Sequence, residues 1–77
     1  MNTLIDTPRS ARHVDGQILV TMNSGFEFSF PCSEYPRLAG ASPVERSKIE
    51  LSPLGIHWPD LDEDLSIAGL LRAHAKR

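Results

Sequence analysis

The chain has 77 residues, 40% of them apolar and 23% charged, with a net charge of −2. That length is one small domain near the lower limit for folding alone, and the apolar share argues against disorder along its whole length. Eight Lys and Arg are scattered among ten Asp and Glu, so no cluster of cations is set against a phosphate backbone and DNA binding is not expected.

Cys32 is the single cysteine, which excludes an internal disulfide and favours a reducing compartment. It sits between Pro31 and Ser33 with no His or Cys beside it, so it reads as a small inert residue. Met1 to Arg9 contains no long apolar core, and no stretch of the chain approaches the apolar length of a membrane span. A cytoplasmic protein without membrane association is the expectation. A core of this size supplies only about 3–5 kcal/mol, so a homodimer or a bound partner would be an ordinary source of added stability.

In chain order, residues 1–10 are polar, carry Pro8 and read as a flexible N-terminal arm, followed by a single domain over 11–77. Asp15-Gly16 marks a tight turn with Arg12 to Val14 as a strand before it. Gln17 to Met22 alternates, with Ile18, Val20 and Met22 on one face. Asn23-Ser24-Gly25 is a turn signal, and Phe26, Phe28 and Phe30 again share a face. These runs predict an antiparallel meander with an apolar face in need of a cover.

Pro31 and Pro36 end the sheet run, and Ser33 to Ala41 reads as a short helix around Tyr35 and Leu38. Ser42-Pro43-Val44-Glu45 has the form of a capping box with Pro at the first helical position. Lys48 to Leu51 alternates like a strand, Pro53 and Gly55 mark a turn, and Ile56 to Trp58 follows as strand. Ser66 predicts the cap of a last helix, with Leu65 and Leu70 placed for a hydrophobic staple. Ile67, Leu70, Leu71 and His74 fall on one helical face, able to cover the phenylalanine surface. The fold class is therefore α+β: an antiparallel hairpin sheet covered on one face by short helices, including one at the C-terminus.

The stretch Ile56-His57-Trp58-Pro59-Asp60-Leu61-Asp62-Glu63-Asp64-Leu65-Ser66, followed by Gly69-Leu70-Leu71, resembles the hallmark of a family of small bacterial proteins, the domain-of-unknown-function family 2442. The resemblance covers roughly residues 11–71 and is most specific in the C-terminal third. It implies a small α+β domain. Such proteins are often encoded beside another short protein, in an arrangement like a toxin–antitoxin pair, so it also implies a putting-together of this chain with a small partner, as the antitoxin bound to a co-encoded toxin.

Asp60, Asp62, Glu63 and Asp64 are the strongest candidates for chemistry. Alternating carboxylates suit a hard divalent cation, which makes a metal-binding domain or metal-dependent enzyme built on the Asp60–Asp64 acidic box the alternative reading. Leu65 and Leu71 stand where a calcium loop needs Gly and a bidentate Glu, which excludes that motif. The plainer reading is that the acids precede a helix whose dipole favours them, or face a partner. His57 could serve as a base oriented by Asp60, but no Ser or Cys is identifiable as its nucleophile. The two neighbours His57 and Trp58 point to opposite faces of a strand, Trp58 into the core and His57 outward. His13, His57 and His74 are far apart in sequence, which offers no zinc-ligand spacing. The one local basic excess, Arg72, His74, Lys76 and Arg77, could contact nucleic acid, but its plainer reading is a complement to the C-terminal end of a helix dipole. The expectation is a non-enzymatic protein-interaction module without a cofactor, contacting its partner through His57, Asp60, Asp62, Glu63 and Asp64.

Overall fold

Residues 6–75 are described by a computed structural model. The alternating N-terminal runs form an antiparallel sheet of β1 (Pro8–Val14), β2 (Gln17–Met22) and β3 (Glu27–Pro31), in the order β1-β2-β3. Asp15 and Gly16 both take positive φ, 49° and 79°. This gives the two-residue turn whose twist matches its flanking strands. In the second hairpin the Met22 N–H donates to the Phe26 carbonyl at 2.8 Å, closing the loop over Asn23-Ser24-Gly25. β1 begins at Pro8 rather than Arg12, and the Ser24 N–H and hydroxyl donate to the Asp6 carboxylate at 3.0 and 2.6 Å. Residues 1–5 of the expected arm lie outside the described residues, as do Lys76 and Arg77 of the basic tail.

Strand register places Ala11, Val20 and Phe28 in one row and His13, Ile18 and Phe30 in the next. Ile18, Val20, Met22, Phe28 and Phe30 are buried. Phe26 departs from the predicted face: it belongs to the loop and is 43% exposed, stacked against the Phe28 ring with centroids 6.3 Å apart.

The helix expected over Ser33 to Ala41 is broken in two. A 3-10 turn at Cys32–Glu34 and the helix α1 (Pro36–Ala39) flank Tyr35, whose backbone is extended at φ −123°, ψ 110°. The cause is Pro36, whose ring drives the preceding residue out of helical conformation. The helix α2 (Pro43–Ser47) carries the predicted capping box: Glu45 N–H donates to Ser42 Oγ at 3.1 Å and Ser42 N–H to the Glu45 carboxylate at 2.9 Å. From α2, the Arg46 guanidinium donates to the carbonyls of Leu38 and Ala39, 2.8 and 3.0 Å away. Both carbonyls lie at the end of a short helix, where acceptors lack the next helical turn, and that of Leu38 also accepts from the Ala41 N–H at 3.1 Å.

The second half holds a second antiparallel sheet: β4 (Glu50–Ser52), β5 (Gly55–Trp58) and β6 (Glu63–Ser66), in the order β4-β5-β6. Sequence patterning points to the first two strands but not to β6, since the acidic run is read there as the approach to a helix. The helix α3 (Ile67–His74) follows directly, and Ser66 Oγ accepts from the Gly69 N–H at 3.0 Å as predicted, a cap worth about 1 kcal/mol. Ile67 and Leu70 are buried and α3 packs against β3, so it covers the phenylalanine surface. Leu71 joins the edge of the core. His74, 10% exposed at its side chain, lies with its ring 5.4 Å from that of Phe30 and its Nε2 2.7 Å from the Tyr35 hydroxyl.

One core joins these pieces. It takes the five side chains of the first sheet, Ile56 and Trp58 of the second, Cys32 and Leu38 of the connection, and Ile67 and Leu70 of α3. Trp58 is fully buried, and its indole Nε1–H donates to the Arg46 carbonyl at 3.1 Å. Burial pushes the pKa of the Cys32 thiol above its ordinary 9.0, against smaller lowering effects of the Arg46 charge and a backbone hydrogen bond.

Trp58→Ala should cost about 3–5 kcal/mol, close to the whole stability of a domain with roughly 5 kcal/mol to lose. Trp58→Phe, which keeps an aromatic ring but leaves the Arg46 carbonyl without its donor, should cost about 1–3 kcal/mol. Urea unfolding followed by circular dichroism measures both, and a Trp58→Ala chain as stable as the parent would contradict the anchor role. A second expectation concerns Cys32. Because the fold favours the neutral thiol, its contribution to stability is complete below pH 9.0 and is lost as pH rises through the higher folded-state pKa. Unfolding free energy should therefore fall just above pH 9.0 in the parent, and fall less over that range in Cys32→Ala.

Candidate functional site

The hallmark segment folds into the β5–β6 hairpin. Its alternation sends Ile56 and Trp58 into the core, at 1% and 0% exposure, and His57 to the other side, where its side chain is 35% exposed. Four residues, Pro59 to Asp62, turn the chain, with the Leu61 N–H donating to the Trp58 carbonyl at 3.1 Å. Asp62 completes the reversal in a left-handed conformation, φ 51°, which a short polar side chain tolerates better than most. Trp58 then pairs with Glu63, His57 with Asp64 and Ile56 with Leu65.

This geometry corrects the helix-dipole reading of the acids. Asp60 and Asp62 are in the turn, Glu63 and Asp64 are in a strand, and the first turn of α3 holds no acidic residue. It also corrects the partner of His57. The carboxylate that orients the imidazole is Asp64, across the strand pair, with Oδ1 2.7 Å from Nδ1. Asp60 instead faces Lys48, with Oδ2 3.0 Å from Nζ. The Asp62 carbonyl accepts a hydrogen bond from the Arg37 guanidinium, which ties the turn to α1. Glu63 lies on the Trp58 side of β6, half-buried.

Of the five residues singled out in the sequence, the structure brings only His57 and Asp64 into direct contact. Asp60, Asp62 and Asp64 are exposed, and among the described residues no three His, Cys, Asp or Glu side chains converge as a metal-holding group. The acidic box is thus spread along a hairpin rather than gathered round a point. Exposed pairs such as Lys48–Asp60 add about 0–1 kcal/mol, so their main consequence is to fix where the carboxylates stand. No helix among the described residues is long and apolar enough to cross a membrane.

Sequence reasoning misses several residues around the hairpin. Glu50 pairs with His57 from the other side, completing a row of carboxylate, imidazole and carboxylate across the sheet. The signal for it is present: alternation over Lys48 to Leu51 and a turn at Pro53 to Gly55 fix the register once the two strands are paired. Arg37 and Lys48 carry no comparable signal, because their partners lie 25 and 12 positions further on. A second polar group, Tyr35 with His74 and with Glu34 Oε1 3.8 Å from His74 Nε2, is also invisible locally. Burial, and then the Glu34 charge, raise the Tyr35 pKa above its ordinary 10.0.

Gly55 shapes the outer surface beside this row. It pairs with Ser52 on one side and Ser66 on the other, and a Cβ added there would stand 2.9 Å from the Leu65 carbonyl oxygen. The strands can approach this closely only with no side chain at that position. The outer face is therefore low along Ser52, Gly55 and Ser66.

The family described as "Protein of unknown function (DUF2442)" matches residues 8–75. The chain is similar to a protein of unknown function from Rhodospirillum rubrum ATCC 11170, seen in a crystal structure. The TM-score is 0.81 at 30% identity, over 88% of this chain and 87% of that one. It is likewise similar to an uncharacterised protein from Chromobacterium violaceum, solved by solution NMR, with a TM-score of 0.76 at 31% identity. That likeness covers 86% of this chain and 64% of the other, so the chain spans less than two thirds of its length. No curated protein matches. With nearly all of the described chain inside the match, this protein belongs to the DUF2442 family.

Proposed function

We propose that the chain is a non-enzymatic protein-interaction module that presents the β5–β6 hairpin to a small protein partner. The observation that carries this reading is the combination of exposed acids with a pinned frame. Asp64 is 76% exposed yet bonded to His57, and the Asp62 backbone is held by Arg37 while its side chain faces solvent. Charges held in place before contact lose little freedom on binding, and acidic groups steer a basic surface to them. The hairpin itself is held from beneath by Trp58, so the partner-facing side can be polar without loss of the fold.

The resemblance gives this reading its specific form: the antitoxin of a toxin–antitoxin pair, cytoplasmic, bound to a co-encoded toxin through His57, Asp60, Asp62, Glu63 and Asp64. In that form the chain acts by occupying its partner rather than by chemistry of its own. His74 is engaged with Tyr35 and so adds little to a basic surface, which leaves DNA binding the weaker role.

A tagged chain expressed in its native host should recover one small protein in stoichiometric amount, and recovery of the chain alone would overturn the interaction reading. With that partner purified, calorimetry should show that Asp62→Lys combined with Asp64→Lys weakens binding by about tenfold or more, while circular dichroism shows an unchanged fold. Equal affinity in the double reversal would overturn the assignment of the site.

A further inference from the structure

Among the described residues, no element packs on the outer face of the second sheet, where Glu50, Ser52, Asp64 and Ser66 are exposed. Its core side carries Ile56 and Trp58, whereas Glu50, Ser52, His57, Asp64 and Ser66 stand on the opposite side at the surface. Ser52, Gly55 and Ser66, in register across the three strands, form the floor of an open concavity of about 580 Å³. The Glu50–His57–Asp64 row borders one side of that floor. Leu54, 74% exposed in the β4–β5 turn, also lines it. A furrow this open does not enclose a small molecule in the way an interior pocket does.

Charge decides among the possible occupants. The three strands hold Glu50, Glu63 and Asp64 and neither Lys nor Arg, so more negative charge sits on this one sheet than the net −2 of the whole chain. The furrow is lined by two of these acids and by His57, and by neither Lys nor Arg. A second copy docking by the same face would set Glu50 and Asp64 against their equivalents, which repel, and a polyanion would meet the same carboxylates. Complementarity is left with a basic chain that also has something apolar to place against Leu54.

We propose that this furrow receives a protein segment that presents both arginine or lysine and aliphatic side chains on one face, the cations meeting Glu50 and Asp64 and an aliphatic group meeting Leu54. This rests on the interaction reading above and names the surface and the chemistry of the partner. The small side chains of the floor let the segment lie close to the sheet, and the imidazole, bonded to Asp64 through Nδ1, holds that carboxylate at the furrow edge.

The test is an NMR titration of the ¹⁵N-labelled full chain, at low salt, with three capped synthetic peptides of equal length, repeating Leu-Leu-Arg-Arg, Gly-Gly-Arg-Arg and Leu-Leu-Glu-Glu, so that in extended form each face carries both kinds of side chain. The leucine–arginine peptide should give saturable shifts centred on Ser52, Gly55, His57 and Ser66. The glycine–arginine peptide should bind about tenfold more weakly, and the leucine–glutamate peptide not at all. Glu50→Lys and Leu54→Ser should each weaken the leucine–arginine peptide by about tenfold while the spectrum keeps its dispersion. Equal affinity for the two arginine peptides, shifts confined to residues 60–62, or absence of saturation would overturn the proposal. So would shifts at the same four residues on concentrating the chain alone, which would give the face to a second copy. Glu50 and Leu54 are not altered in the charge-reversal experiment above, so a failure here beside a success there overturns the furrow and leaves the hairpin site standing.

Discussion

The indole of Trp58 has no exposure to solvent, yet it carries an N–H that must find an acceptor inside the protein, and the acceptor is the backbone carbonyl of Arg46. Side chains of this size bury roughly 200 Å², or about 5 kcal/mol at 25 cal/mol per Å², with a buried donor left unpaired costing about 1–3 kcal/mol. The ring can therefore be buried only where α2 presents that carbonyl. The same residue turns its guanidinium to Leu38 and Ala39 at the end of α1. Arg46 thus ties the second sheet to α2 through its carbonyl, and α2 to α1 through its guanidinium, in a chain too short to have many alternatives.

The position of Trp58 also determines what the surface can be. Strand alternation makes a buried Trp58 and an outward His57 the same event. The register that follows sets His57 between Glu50 and Asp64. The polar groups of this hairpin are accordingly spread over a face rather than sunk in a cleft, and the described residues include no buried polar or charged side chain. A surface of fixed, exposed carboxylates is suited to meeting another charged surface.

Much of this was legible in the residues themselves. Period-two alternation located β2 and β3, Asp15-Gly16 gave the first turn, and Ser42 and Ser66 marked two helix starts through the hydrogen bonds their hydroxyls accept. Strand geometry set Trp58 and His57 on opposite faces, and the need of a 77-residue chain for a large core side chain assigned Trp58 to the inside. What was not legible depended on pairing. Nothing local distinguishes Glu63 to Ser66 as a strand, because two acids, a leucine and a serine suit a helix approach equally well; the preference comes from β5 lying alongside. Pro36 split the helix expected around it through its effect on Tyr35. Phe26 continued the Phe28 and Phe30 spacing but fell in the turn, where the Met22–Phe26 bond closes the loop. The partners of Asp60 and Asp62 came from α1 and from the segment before β4, which no spacing rule reaches.

Hydrogen exchange of the Trp58 indole N–H, followed by NMR at increasing urea, addresses the anchor most directly. If burial of this ring and its bond to Arg46 hold the two halves together, the indole proton should exchange only through global unfolding. Its opening free energy and urea dependence would then equal those of the most protected amides in β2 and β5. An indole proton that exchanges through a small, urea-insensitive opening, while those amides stay protected, would contradict the account.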